Sequence, residues 1–169
     1  MSATLFRTLF EHKAWANQQL LAQLIEHRSD EHAKSWRLAT RLMNHLNIVD
    51  QIFIAHLNGI AHGFTGTNTP ETPELSELLE RTAQTDQYLI GLVSQLPAAR
   101  FDEQIQFVFT DGKAGQMSVA EILMHLITHA SYHRGQIGRV IYESDAKIPP
   151  DILTGFLHRN RQPNPQQSL

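Results

Sequence analysis

Four long segments of the chain place an apolar residue at every third or fourth position. This spacing brings the apolar side chains onto one face of an α-helix, so each segment predicts an amphipathic helix. The predicted helices cover residues 3–27, 36–59, 73–97 and 118–143. Amphipathic helices of similar length bury their apolar faces against one another, and the pattern therefore predicts an all-α fold, a four-helix bundle.

A short β-hairpin is predicted between the third and fourth helices, within residues 101–117. Ile105, Phe107 and Phe109 alternate there with polar neighbours, and an Asp-Gly pair follows. Alternation of this kind before Asp-Gly is typical of two strands joined by a tight turn. Ser118, with a glutamate three residues later, predicts a capping box at the start of the fourth helix.

The remaining segments predict connections and ends. Residues 59–73 concentrate glycine, threonine and proline, which indicates a long connection between the second and third helices. A short C-terminal helix is expected at 151–159, after Pro149-Pro150. We predict a single metal-binding helical domain over residues 1–160 and a disordered tail over 161–169.

Composition excludes several classes of site and partner. The chain has 169 residues, a formal net charge of −3 and no cysteine. The absence of cysteine excludes disulfides, thiolate zinc sites and cysteine nucleophiles. A negative net charge gives no electrostatic basis for nucleic-acid binding, and no apolar run approaches the roughly 18 residues of a membrane span. We therefore expect a soluble cytoplasmic protein with neither a nucleic-acid nor a membrane partner.

Two histidines four residues apart, His129 and His133, lie in the fourth predicted helix. Residues at i and i+4 share a helix face, so both imidazoles can reach one metal ion. On a helical wheel both fall within the apolar stripe, whereas His125 projects outside it. His45 lies in the apolar stripe of the second helix. If these two faces pack together, three imidazoles converge and leave one coordination position open, as in catalytic metal sites.

A purely structural role for these histidines is the alternative. A single histidine on an apolar face is more often a hydrogen-bonded core residue than a metal ligand. Two adjacent buried imidazoles would each need a polar partner, however, and one metal ion would satisfy both. His56 projects onto the same stripe as His45 but lies roughly 16 Å along the axis, too far to share a metal. Surface positions are expected for His12, His27, His32, His62 and His158.

The segment HLITHASYHRGQIG resembles the signature of the DinB / YfiT-like family of four-helix-bundle metalloproteins. The resemblance extends to MNHLNIVD in the second helix, WAN in the first and the late PPDILTGFL, so it covers nearly the whole chain. It implies that His45, His129 and His133 bind one divalent metal ion, zinc or nickel. The helical wheel selects the same three residues. Some relatives are transferases that depend on low-molecular-weight thiols, and relatives are commonly dimers. The resemblance thus implies a small-molecule substrate, such as a thiol, and a homodimer.

Five further residues are candidates for supporting roles. Asp86 projects into an apolar stripe and is expected either to orient a ligand histidine or line the pocket, or to be a bundle-edge acid paired with a nearby arginine or hydroxyl. Asp50 is expected to form an inter-helix salt bridge. Arg134 either binds an anionic substrate group or is an ordinary solvated or interface residue. Gly135 and Gly138 lie in mid-helix, where each destabilises the helix by about 1 kcal/mol relative to alanine. Close packing of another helix, such as one from a second subunit, would compensate this loss and is therefore predicted.

Three functional classes remain open from the sequence. The first is a metal-dependent enzyme, a transferase or hydrolase that activates a low-molecular-weight thiol or water. The second is a non-catalytic metal-binding or stress-related sensor protein. The third is a structural bundle whose histidines belong to the core. No glycine-rich phosphate loop and no Gly-x-Ser-x-Gly elbow is present to point to another chemistry.

Overall fold

The computed structural model describes residues 2–144 and 146–161 of the chain. Its elements, in chain order, are α1 (Ala3–Glu26), α2 (Ala33–Leu57), α3 (Leu75–Gln95), a 3₁₀ turn (Ala98–Asp102), β1 (Gln104–Val108), β2 (Ala114–Ser118), α4 (Val119–Tyr142) and α5 (Leu153–Arg161). This architecture confirms the all-α fold with a hairpin before the last bundle helix and a short C-terminal helix.

Several helix ends differ from the prediction. α2 begins at Ala33 instead of residue 36. Lys34 and Ser35 in its first turn add no apolar periodicity, so the sequence pattern does not reveal this turn. α3 begins only at Leu75, after an extended Glu74. The preceding carbonyls of residues 69–71 are hydrogen-bonded to Arg41 of α2, which holds this stretch outside the helix. Arg161, expected in the tail, ends α5, and the rest of the predicted tail lies outside the described residues.

The hairpin leads directly into α4. β1 and β2 pair antiparallel, with Phe107 opposite Gly115. A Cβ at Gly115 would lie 2.6 Å from the Phe107 ring, so any larger residue here would displace that ring. Ser118 ends β2 and caps α4: its hydroxyl accepts from the backbone N–H of Glu121, whose carboxylate accepts in return from the Ser118 N–H. The predicted capping box is confirmed, and it determines where α4 starts.

The core consists of two apolar clusters separated by a buried polar layer. α1 packs mainly against α3, and α2 against α4. One cluster surrounds Phe10 and Phe101 next to the hairpin, and the other surrounds Leu24 and Met43 at the opposite end. Between them along the helices lie buried polar side chains, among them Lys13, Asn17, Asn44, Asp50, Asp86 and Arg134. His45 and His129 lie at the same level of the bundle.

No helix within residues 2–144 and 146–161 combines the length and the apolar character needed to cross a bilayer.

Candidate metal centre

The packing of α2 against α4 brings together the three histidines selected from the sequence. Nε2 of His45 lies 3.1 Å from Nε2 of His129. The His133 ring lies 4.6 Å from the His129 ring and 4.8 Å from the His45 ring, measured between centroids. One nitrogen from each residue falls within 4.8 Å of the other two, and all three side chains are partly buried. The group could therefore hold a metal ion.

Hydrogen bonds at Nδ1 orient two of the three rings. His45 Nδ1 lies 2.7 Å from the carbonyl oxygen of Thr67, which can only accept, so Nδ1 carries the proton. His133 Nδ1 lies 2.7 Å from Oε1 of Gln136, one turn along α4. In a neutral imidazole a proton on Nδ1 leaves a lone pair on Nε2. Both rings thus present Nε2 as a ligand atom, the arrangement usual for metal-bound histidines.

Two of the three imidazoles, those of His45 and His129, are neutral near pH 7. Burial, together with the neighbouring His133 and His45, lowers the pKa of His129 to about 3. Burial also lowers the pKa of His45, against the opposing effect of its bond to the Thr67 carbonyl. Metal binding requires neutral imidazole, so protons compete weakly with a metal at these two positions.

The donor set fits a divalent metal ion. Zn–N bonds of about 2.0–2.1 Å in tetrahedral geometry place neighbouring ligand nitrogens roughly 3.4 Å apart. The Nε2 atoms of His45 and His129, at 3.1 Å, already lie close to that separation. Three nitrogen donors fill three of four positions, which leaves one for a substrate or water.

His125 lies beside this group and His56 lies further along α2, and neither belongs to it. The His125 ring stacks on His129 with a centroid separation of 5.2 Å and also contacts Phe53. Among the described residues, the cluster of donor atoms contains His45, His129 and His133 but neither of these two. His56 lies further along α2, against the rings of His62 and Phe107. This placement agrees with the helical-wheel prediction.

Sequence comparison decides the family. The model of the DinB family matches residues 1–161. The chain belongs to the DinB family. It is also similar to Protein DinB of Bacillus subtilis (strain 168), with 21% identity over 158 residues that cover 85% of this chain and 88% of that protein. Membership of the DinB family and the three-histidine cluster together fit a metal-binding DinB-like protein.

A buried ion cluster lies in the polar layer of this DinB-family bundle. The ammonium of Lys13 donates to Asp50 and to Asp86, each at 2.6 Å, and the Asn17 amide donates to the second oxygen of Asp86 at 2.9 Å. The inter-helix salt bridge expected for Asp50 is confirmed. Both oxygens of Asp86 are engaged away from the histidines, which supports pairing within the bundle over orientation of a ligand. Its partners are a lysine and an amide instead of the expected arginine or hydroxyl, and the side chain is buried instead of lying at the bundle edge.

The ammonium of Lys13 cannot neutralise two buried carboxylates. Burial and the neighbouring Asp86 raise the pKa of Asp50 to about 6, against the opposing charge of Lys13. No buried role is predicted above for Lys13 or for Asn17 of the WAN tripeptide, although the sequence carries a signal for one. They follow the three- and four-residue spacing of the buried face of α1, between Phe10 and Leu20. Polar residues at such positions indicate a buried network.

Arg134 and His12 belong to a second polar group, at the C-terminal segment. Arg134 is only 4% exposed and donates from Nε to Asp151 at 2.8 Å and from Nη1 to Asn17 at 3.2 Å. It is therefore a buried structural arginine, neither solvated nor free to bind a substrate anion. The surface position expected for His12 is wrong: the ring is buried, with Nε2 3.3 Å from Asp151, and contacts Phe156.

The two glycines of α4 have different surroundings. A Cβ at Gly138 would lie 3.3 Å from Cγ2 of Ile148, so the close packing predicted there comes from the chain's own segment before α5. A Cβ at Gly135 would meet no atom within 4 Å among the described residues. Packing within this chain thus explains Gly138 but not Gly135.

Proposed function

We propose that this protein is a metal-dependent transferase whose three-histidine centre binds zinc or nickel and activates a low-molecular-weight thiol. In the reaction the thiol proton is lost to solvent, and the sulfur forms a bond to an electrophilic carbon. The leaving group departs with its bonding electron pair. The observation that supports this proposal is the convergence of three partly buried imidazoles with a position left open.

Each residue of the centre has a defined task. His45, His129 and His133 would hold the ion, and a bound divalent ion supplies Lewis acidity that lowers the pKa of a thiol or water beside it. The Thr67 carbonyl and the Gln136 amide keep Nε2 of two ligands free by accepting from Nδ1. The depressed pKa of His129 keeps that imidazole neutral.

We further propose that the protein is a homodimer. Gly135 is exposed on α4, and its helix-destabilising cost has no compensating contact among the described residues. A second subunit packed on this face would provide one. Sedimentation velocity of the purified protein tests this directly, and a monomer at micromolar concentration would contradict it.

The test of the proposed function compares metal-loaded and chelator-treated protein, purified without a polyhistidine tag. Elemental analysis measures the bound metal, and conjugation of glutathione or cysteine to 1-chloro-2,4-dinitrobenzene measures thiol transfer. We expect about one zinc or nickel ion per chain and a conjugation rate that disappears on chelation and returns with metal. Metal binding without metal-dependent turnover of any thiol would favour the sensor class, and absence of metal would favour a structural bundle.

A further inference from the structure

The connection between α2 and α3, residues 58–74, touches the metal centre through one backbone atom. The carbonyl oxygen of Thr67 accepts from Nδ1 of His45 at 2.7 Å. This segment contains neither helix nor strand, and Gly59 and Gly63 have positive φ, so no regular backbone hydrogen bonding holds Thr67 in place. Other contacts must hold the carbonyl against the ring.

Arg41 of α2 provides one set of these contacts. Its Nη1 donates to the carbonyl oxygens of Thr69 at 2.7 Å, Glu71 at 2.9 Å and Pro70 at 3.2 Å. Three successive carbonyls turned towards one guanidinium tie the stretch that follows Thr67 to the surface of α2. Because Arg41 lies one helical turn before His45, the carbonyls and the ligand ring are held on the same helix.

A pair of asparagines provides the second set. Asn44 is fully buried, and its Nδ2 donates to Oδ1 of Asn68 and, at 2.7 Å, to Oγ1 of Thr69. Asn68 donates in turn to the backbone carbonyl of Arg41 at 3.0 Å. The residue next to Thr67 is thus bonded to α2 through both ends of its amide.

The orientation of Asn44 is imposed from α3. Nη2 of Arg81 donates to Oδ1 of Asn44 at 2.6 Å, and Nε of Arg81 donates to Oδ1 of Asn47 at 2.9 Å. A guanidinium only donates, so the amide oxygen of Asn44 must face Arg81 and its NH₂ must face the connection. The chain of contacts therefore runs from α3 through α2 to the Thr67 carbonyl.

We propose that Arg41, Asn44, Asn68 and Arg81 are positioning residues for the metal centre. Together they hold the Thr67 carbonyl against His45, and the carbonyl in turn keeps the proton on Nδ1 and the lone pair on Nε2. The predicted effect of these residues on metal affinity rests on the metal-binding function proposed above. Their effect on the His45 tautomer requires no metal.

The test uses Asn68→Ala, with Asn58→Ala as the matched control. Asn58 lies at the start of the same connection, is exposed, and contacts Ile54 and Tyr88 but not the Thr67 stretch. In chelator-treated protein, ¹H–¹⁵N correlation spectra of the imidazoles report the tautomer of His45. A competition titration with a chromophoric chelator measures zinc affinity, and circular dichroism measures folding.

For Asn68→Ala we expect a mixture of His45 tautomers. We also expect zinc affinity to fall about tenfold, the lower end of the range of losses seen when a group that orients a metal ligand is removed. Asn68→Asp, which keeps the acceptor for Asn44, should recover part of this loss. Asn58→Ala should match the wild type in both measurements. If Asn68→Ala unfolds, Arg41→Gln removes the other set of contacts and should give the same shift in tautomer and affinity.

Two outcomes would overturn the proposal. One is a folded Asn68→Ala protein that keeps a single Nδ1–H tautomer and the zinc affinity of the wild type. The other is an equal loss in Asn58→Ala, which would indicate general loosening of the connection. If the wild type binds no zinc, the proposed function fails, while the tautomer in chelator-treated protein still tests the positioning role independently.

Discussion

The position of one proton on each imidazole determines whether the histidines of this bundle can act as ligands. The Nδ1 atoms of His45 and His133 donate to oxygen acceptors, so both Nε2 atoms are available. His125, one turn from His129, stacks on that ring but is not part of the converging donor group. His125, His129 and His133 are spaced equally along α4, but only the last two belong to the converging donor group.

We predict that His133→Ala abolishes zinc binding, because two remaining nitrogens cannot hold a divalent ion tightly. His125→Ala should retain wild-type binding, since it removes a neighbouring ring and no donor. Isothermal titration calorimetry of both variants measures the difference. An equal loss of affinity in the two variants would show that the ligand pair on α4 is misassigned.

The depressed pKa of His129 predicts a pH dependence of stability in chelator-treated protein. The unfolded histidine titrates near 6.5, and the folded one at about 3. Between these values the unfolded chain binds more protons, so the contribution of His129 to stability is complete above about pH 6.5 and decreases as the pH falls. Urea unfolding at about pH 7.5 and at about pH 5 should show a lower midpoint at the acid value. His129→Gln should make this dependence shallower, and an unchanged dependence would contradict the prediction.

At the scale of elements, α4 combines a well-defined start with two glycines in its interior. The capping box of Ser118 and Glu121 fixes its first turn, and the segment before α5 packs on Gly138. The connection that follows α2 has no comparable local signal. Its conformation depends on Arg41 and Asn44, which are bonded to residues more than twenty positions away.

Gly135→Ala should stabilise the monomeric fold. The added methyl group meets no atom within 4 Å, and alanine favours a helix interior over glycine by about 1 kcal/mol. Guanidinium unfolding should show an increase of that size in the free energy of unfolding. At Gly138 the larger change Gly138→Leu should destabilise, because it displaces Ile148. If the proposed homodimer packs on this glycine, the same methyl group should weaken the dimer, and a stabilised protein whose dimer persists would show that the partner surface lies elsewhere.

At the scale of the whole molecule, one buried cation connects three helices. Lys13 of α1 is bonded to Asp50 of α2 and Asp86 of α3. Through Asn17, which bonds both Asp86 and Arg134, the same network reaches α4. The polar layer thus contacts every long helix at the level of the histidine centre, and it favours one arrangement of the bundle over alternatives in which these groups lack partners.

Lys13→Met should destabilise the protein by about 3–5 kcal/mol, because it leaves two buried carboxylates without the cation that both of them contact. Lys113→Met is the matched control, since the Lys113 side chain is 80% exposed and should change stability by less than about 0.5 kcal/mol. Thermal or urea unfolding at neutral pH compares the two. A Lys13→Met protein as stable as the control would show that the ion cluster is dispensable.

The sequence by itself determined the features that depend on near neighbours along the chain. Helical periodicity, the Ser118 cap and the hairpin follow from hydrogen bonds and packing within a few residues, and the spacing of His129 and His133 follows from one helical turn. The tertiary structure decided which faces meet. Only the pairing of α2 with α4 brings His45 to the other histidines, and only the four-helix arrangement makes Lys13, Asp86 and Arg134 partners in a buried network. Burial and ion pairing depend on contacts between distant segments, and local periodicity does not specify which distant segments will be in contact.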